Sequence, residues 1–281
     1  MTTTAAPPSE RHYVRFGRAE RLLHAGLMTS FLGLALTGLP LLFSDMRWAA
    51  VLARLFGGFA VAGRLHRFFA IVMIAVFTIH VARVAYRIFG RGEAGLLWGP
   101  GSMVPQPRDV RELYEHTRWF LGLGPRPEFD RYTYWEKFDY WAVFWGMLII
   151  GGSGLILWFP ATFARILPGW MFNVALVVHG EEALLAVGFI FTIHFFNGHL
   201  RPGKFPMDLV IFTGVVSERE MREERALELE RLRSEGALEA KVAPPPTRRQ
   251  MRTGYVVGGI AVGIGLALVV LIIYALVLGG H

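Results

Sequence analysis

The chain contains no cysteine among its 281 residues. That excludes thiolate-held iron–sulfur clusters, covalent attachment of a c-type haem, and disulfides. Any redox cofactor must be held by other side chains, and histidine is the obvious ligand. The missing thiols say little about compartment, because a membrane-embedded chain does not need disulfides. Also missing is any aromatic–basic module that would bind bases. The net charge of +7 therefore points to basic loops beside a membrane rather than to nucleic acid.

What is present is apolar: 53% of residues are hydrophobic and 22 are Phe, above the usage of ordinary soluble domains. Runs long enough to span a bilayer settle the class as an all-α integral membrane protein. Five spanning helices are expected at about 19–43, 64–88, 137–159, 171–199 and 254–278. The first four are read as a four-helix bundle and the fifth as an added C-terminal helix. The expected organisation is a flexible cytoplasmic arm over 1–18, a four-helix domain over 19–215, a charged helix with a Pro-rich linker over 216–253, and the last spanning helix over 254–281. The first apolar run is long, lacks a small-residue cleavage site and contains His24, so it does not read as a cleavable signal peptide.

Basic residues alternate from loop to loop. The arm holds Arg11, Arg15, Arg18 and Arg21, and the connections after the second and fourth helices are richer still. The loop between the third and fourth helices holds only Arg165. The positive-inside rule then puts the N-terminus in the cytoplasm and the C-terminus outside, in a bacterial inner membrane. Residues 106–120 read as a short amphipathic helix at the membrane surface, and 217–240 as a charged, solvated helix. No internal repeat is evident.

Histidine carries the functional signal. His66 and His80 lie fourteen apart on the second helix, and His179 and His194 fifteen apart on the fourth. Fourteen helical residues rise ~21 Å and return almost to the same face. Ionisable groups inside a membrane helix are costly and usually face the bundle interior. Several imidazoles at two depths fit axial ligation of two haems. His66 and His179 form the outer pair. On the cytoplasmic side His194 pairs with either His24 or His80. His199, where the fourth helix leaves the membrane, reads equally as an interfacial polar residue or as a group at a quinone or third haem. His12 and His116 read as surface residues, and His281 is uninformative. Gly33 and Gly38 on the first helix, and Gly146, Gly151, Gly152 and Gly154 on the third, leave room equally for a macrocycle or for close helix packing. Arg21, Arg64, Arg67 and Arg201 suit haem propionates or snorkelling equally.

The motifs RFGRAERLLHAGLMTSFLGLALTG, GRLHRFF and VVHGEEALLAVGFIFTIHFF resemble the b-type gamma subunit of respiratory formate dehydrogenases and the related thiosulfate reductase and hydrogenase cytochrome b subunits. The resemblance covers roughly residues 11–215. It implies two b haems, with His66 and His179 on the outer one and His24 and His194 on the cytoplasmic one. Two departures stand out. The family's spacing on the fourth helix is fourteen where this chain has fifteen, and His80 has no counterpart there. A pairing of His80 with His194, or a third haem on His80 or His199, stays open. RWFLGLGPRPEFDRYTYWEKFDYW and HFFNGHLRPGKFPMD are closer to cytochrome b proteins that accompany multihaem c-type cytochromes.

The resemblance further implies a menaquinone or ubiquinone site at the start of the third helix, where Thr133, Glu136 and Lys137 stand. Glu136 would relay protons, and Lys137 or His80 would donate to the quinone. Glu136 and Lys137 read equally as a surface pair. The expected partners are other subunits of a membrane oxidoreductase complex, a periplasmic c-type cytochrome or iron–sulfur subunit, the quinone and membrane lipid. Two other classes remain: a proton or ion transporter using the histidines as a relay, and a purely structural anchor.

Overall fold

The computed structural model describes residues 10–278. Residues 1–9 of the expected arm, and His281, lie outside them. The fold is all-α and carries five helices long and apolar enough to cross a membrane, which makes this a multi-pass membrane protein. These helices are α1 (Arg18–Leu42), α3 (Phe59–Gly90), α5 (Tyr134–Trp158), α6 (Trp170–Leu200) and α9 (Arg248–Leu278). Between them run α2 (Arg47–Leu55), α4 (Pro107–Phe120), α7 (Glu218–Glu224) and α8 (Ala226–Ser234). Five expected spans are therefore present. α3 begins five residues earlier than expected and α9 six.

Three spanning helices contain π turns: Tyr86–Gly90 in α3, Met147–Gly151 in α5, and Ile190–His194 with Phe196–Leu200 in α6. A π turn accommodates one extra residue in the helical ladder.

The chain divides into two compact units. One comprises 22–84, 139–208 and 255–281, and its regular elements are all helices among the described residues. Its core is apolar: Ala35, Leu39 and Phe43 meet Val187, Phe191 and Phe195 of α6 and Leu268, Ile272 and Ala275 of α9. Gly265 lets α9 close onto the rings of Phe191 and Phe195, since a Cβ there would stand 2.6 Å from both. Large apolar side chains such as Ile71, Leu148, Leu176 and Val270 face outward, as lipid requires.

The other unit comprises 1–21, 85–138 and 209–254. Here the expected flexible arm turns out to be ordered over its described C-terminal part. β1 (His12–Val14) is the central strand of a three-stranded antiparallel sheet, between β2 (Val215–Ser217) and β3 (Val242–Ala243). Tyr13 anchors it, buried among Val210, Val216, Met221, Leu229, Leu232 and Leu238. Its hydroxyl donates to Glu218 at 2.9 Å. The single solvated helix expected over 217–240 is two helices, broken at Arg225, with Met221, Glu228, Leu229 and Leu232 buried. The reason is charge pairing that composition does not reveal. Arg15 is buried between Glu136 (3.2 Å) and Glu228 (3.4 Å), and Arg131 also holds Glu228 at 3.0 Å.

The expected helix over 106–120 is α4, entered through a capping box of Gln106 and Asp109. Its polarity is reversed relative to a water-soluble helix. Asp109 and Glu112 are buried, while Val110, Leu113, Tyr114 and Phe120 are exposed.

Candidate functional site

His66 and His179 face each other in the helical unit, their ring centres 6.2 Å apart and their planes at 84°. Two imidazoles on opposite sides of one metal ion, each at the usual ~2 Å metal–nitrogen distance, have ring centres roughly 6 Å apart. The pair thus has the span that two axial ligands need.

Each imidazole is held by the same three-part device on a neighbouring helix. On α1 it consists of Leu34, Thr37 and Gly38, and on α5 of Ile150, Ser153 and Gly154. These positions fall at i, i+3 and i+4, one face of a helix. The His66 ring lies over Gly38, where a Cβ would stand 2.8 Å from its Cε1. The His179 ring lies over Gly154, where the same distance is 2.9 Å. His66 Nδ1 is 3.2 Å from Thr37 Oγ1, and the ring lies beside the Leu34 backbone. His179 Nδ1 donates to the Ile150 carbonyl at 2.9 Å and lies 3.3 Å from Ser153 Oγ.

The hydroxyl directions follow. Thr37 donates its proton to the Gly33 carbonyl (2.6 Å) and Ser153 to that of Ile149 (2.7 Å). Each oxygen can therefore accept from an imidazole N–H. Both rings are fixed with the proton on Nδ1, so the Nε2 lone pair is left for a ligand, as outer-shell partners of metal-bound histidine do.

The other level involves His24, His194 and His199. His24 on α1 has His194 and His199 of α6 as its electrostatic neighbours. His194 Nδ1 donates to Asp139 Oδ2 on α5 at 2.9 Å, again leaving Nε2. His80 differs: it uses Nε2 itself, 2.9 Å from the Tyr140 hydroxyl. Of the two partners considered for His194, His80 has the nitrogen that would ligate in a hydrogen bond to Tyr140, which favours His24.

The fifteen-residue spacing of His179 and His194 also has a cause. The π turn Ile190–His194 takes up one residue between them. At ~100° per residue, fourteen helical steps leave two side chains about 40° apart, and fifteen would leave them about 60° apart on the other side. The π turn restores the fourteen-step register.

The residues expected around a quinone are committed elsewhere. Thr133 caps α5: its N–H and hydroxyl donate to Glu136 Oε2 at 2.9 and 3.0 Å. Glu136 Oε1 accepts from Arg15 (3.2 Å) and Arg225 (3.0 Å). Lys137 is buried and donates to both oxygens of Asp109, at 2.7 and 2.9 Å. Glu136 and Lys137 therefore do not form the surface pair with each other, and the Glu136 carboxylate is fully engaged. Of the arginines considered for propionates, Arg67 lies over the Trp158 ring at 5.8 Å, Arg21 bonds the Phe212 carbonyl, and Arg201 bonds that of Asn197 at 2.9 Å. His116, expected at the surface, is half-buried among the rings of Trp119, Phe120, Phe129, Tyr134 and Trp135.

Sequence reasoning missed Asp139, Thr37 and Ser153. A signal for two of them was there: LALTG on α1 and IGGSG on α5 place a hydroxyl and a glycine alike near matching helix ends. Among the described residues, no three His, Asp or Glu side chains gather as a metal centre of their own. Paired imidazoles suit a metal whose remaining ligands come from a macrocycle. The chain matches no protein-family model and no curated protein.

Proposed function

We propose that this chain is a membrane cytochrome b subunit. It would carry electrons across a bacterial inner membrane between a menaquinone or ubiquinone pool and a periplasmic partner such as a multihaem cytochrome c or an iron–sulfur subunit. The observation that carries the reading is the opposition of His66 and His179, each with Nδ1 anchored and its ring laid over a glycine. The family resemblance supports the quinone and the partner, and the loop charges support a cytoplasmic N-terminus.

Bound haem supplies a one-electron carrier at each level. His66 and His179 would hold the outer one, and His24 with His194 the inner. Thr37, Ser153 and two backbone carbonyls fix the outer tautomers, and Asp139 fixes that of His194. About 21 Å of α6 separates the two levels.

The decisive measurement is the reduced-minus-oxidised spectrum of the purified chain together with its haem-to-protein ratio. A b-type α band and two haems per chain are expected. Absence of the band ends the reading and leaves the histidine relay or the anchor. His24→Ala should lose the inner haem, while His80→Ala should keep both. The opposite result would move the inner ligand to His80.

A further inference from the structure

The structure allows a controlled comparison between the two histidines of α6. Both are held by α5, both through Nδ1, and both at 2.9 Å. They differ in the charge of the acceptor. His179 donates to the neutral Ile150 carbonyl with Ser153 beside it, and His66 likewise meets only a hydroxyl and a backbone carbonyl. His194 donates to a carboxylate, Asp139, whose side chain is 17% exposed.

We infer that Asp139 is a positioning residue that sets the inner haem at a lower reduction potential than the outer one, so that electrons run downhill from the inner level to the outer. The inference rests on the two-haem reading above. The physical chain is short. An anionic acceptor on Nδ1–H makes the imidazole a stronger donor to the metal. A stronger donor, with a fixed negative charge nearby, stabilises the more positive, oxidised centre and lowers its potential. The neutral acceptors at His66 and His179 do this less. Bound haems would pass one electron from the inner level to the outer, with His194 held by Asp139 at the inner one. No bond would be made or broken.

The consequence is directional. A donor such as a quinol would deliver at the inner level, and the oxidant would take electrons at the outer one. Sequence alone left this direction open, because the four ligands are chemically identical.

The test is a redox titration of the full-length chain, followed at the b-type α band. Wild type should show two components, and His66→Ala should lose the higher one. Asp139→Asn should shift the lower component upward and leave the higher unchanged, whereas Asp139→Glu, which keeps the charge, should stay near wild type. An Asn variant that loses the inner haem while the Glu variant keeps it at the wild-type midpoint also supports the assignment. An unchanged or lowered midpoint in the Asn variant overturns it, as does loss of the lower component in His66→Ala. So does a Glu variant that retains the haem but moves as far as Asn. Failure of the underlying reading looks different: no b-type band appears in wild type at all.

Discussion

The two compact units handle buried polarity in opposite ways. In the helical unit, polar side chains are few and each has a narrow geometric task, such as the hydroxyls of Thr37 and Ser153 beside an imidazole. In the charge-rich unit, carboxylates are buried in numbers and shared between cations. Glu228 is held by Arg15 and Arg131, Glu136 by Arg15 and Arg225, and Asp109 by Lys137. The difference shows where function and stability separate. Losing an imidazole should remove a site and spare the fold. Losing an arginine of the network strands a charge and should weaken the fold.

That contrast can be broken, beginning with the largest effect. His179→Ala should abolish the outer haem, halving haem per chain, with the helical circular-dichroism signal retained. If the variant instead unfolds, the helical unit is not independent of its site. Gly154→Val should do nearly the same without touching a ligand, since even a Cβ there would stand 2.9 Å from His179 Cε1. Full haem content in this variant would mean that the imidazole is not held in this position.

In the other unit, Arg15→Ala should cost about 3 kcal/mol, because Glu136 and Glu228 each lose one of two cations. Denaturant unfolding of the detergent-purified chain measures it, with haem content as the control. A wild-type midpoint would dissolve the contrast. Thr37→Val should cost roughly 1 kcal/mol in one hydrogen bond and keep the outer haem.

The smallest effect depends on pH. Burial pushes the Glu112 carboxyl from near 4.5 up to about 7, with Asp109 and Asp130 adding to this and Arg108 and Lys137 opposing it. Its Oε2 has no hydrogen-bond partner among the described residues. An acid whose folded value is raised binds its proton more tightly when folded. Stability is therefore greatest below the unfolded value and falls as pH rises through the folded one. Glu112→Gln should melt higher than wild type at pH 8, by on the order of 1 kcal/mol, and the gap should close towards pH 5. A constant gap would assign the effect to packing.

Much of this was legible from residue types. Long apolar runs read as spans because hydrophobic length is a local property. His66, His179 and His194 stood out because imidazoles are rare and costly among such neighbours. The charge-rich unit was misread because pairing is not local. Arg15 meets Glu228 across more than two hundred residues, so residues 217–240 read as solvated and the arm as flexible. Glu136 and Lys137 looked available for chemistry for the same reason, until Arg15, Arg225 and Asp109 were seen to hold them.

The sequence by itself determined the solvent of this chain, the number of its spanning helices and the rare imidazoles that stand inside them. These follow from composition and from period along a single helix. The tertiary structure alone decided which nitrogen an imidazole keeps and which acceptor sits behind it. Those are relations between helices: Gly38 beneath His66, Gly154 beneath His179, Asp139 behind His194. The π turn in α6 sets the fifteen-residue spacing in register with them, because a side chain's direction depends on every turn that precedes it.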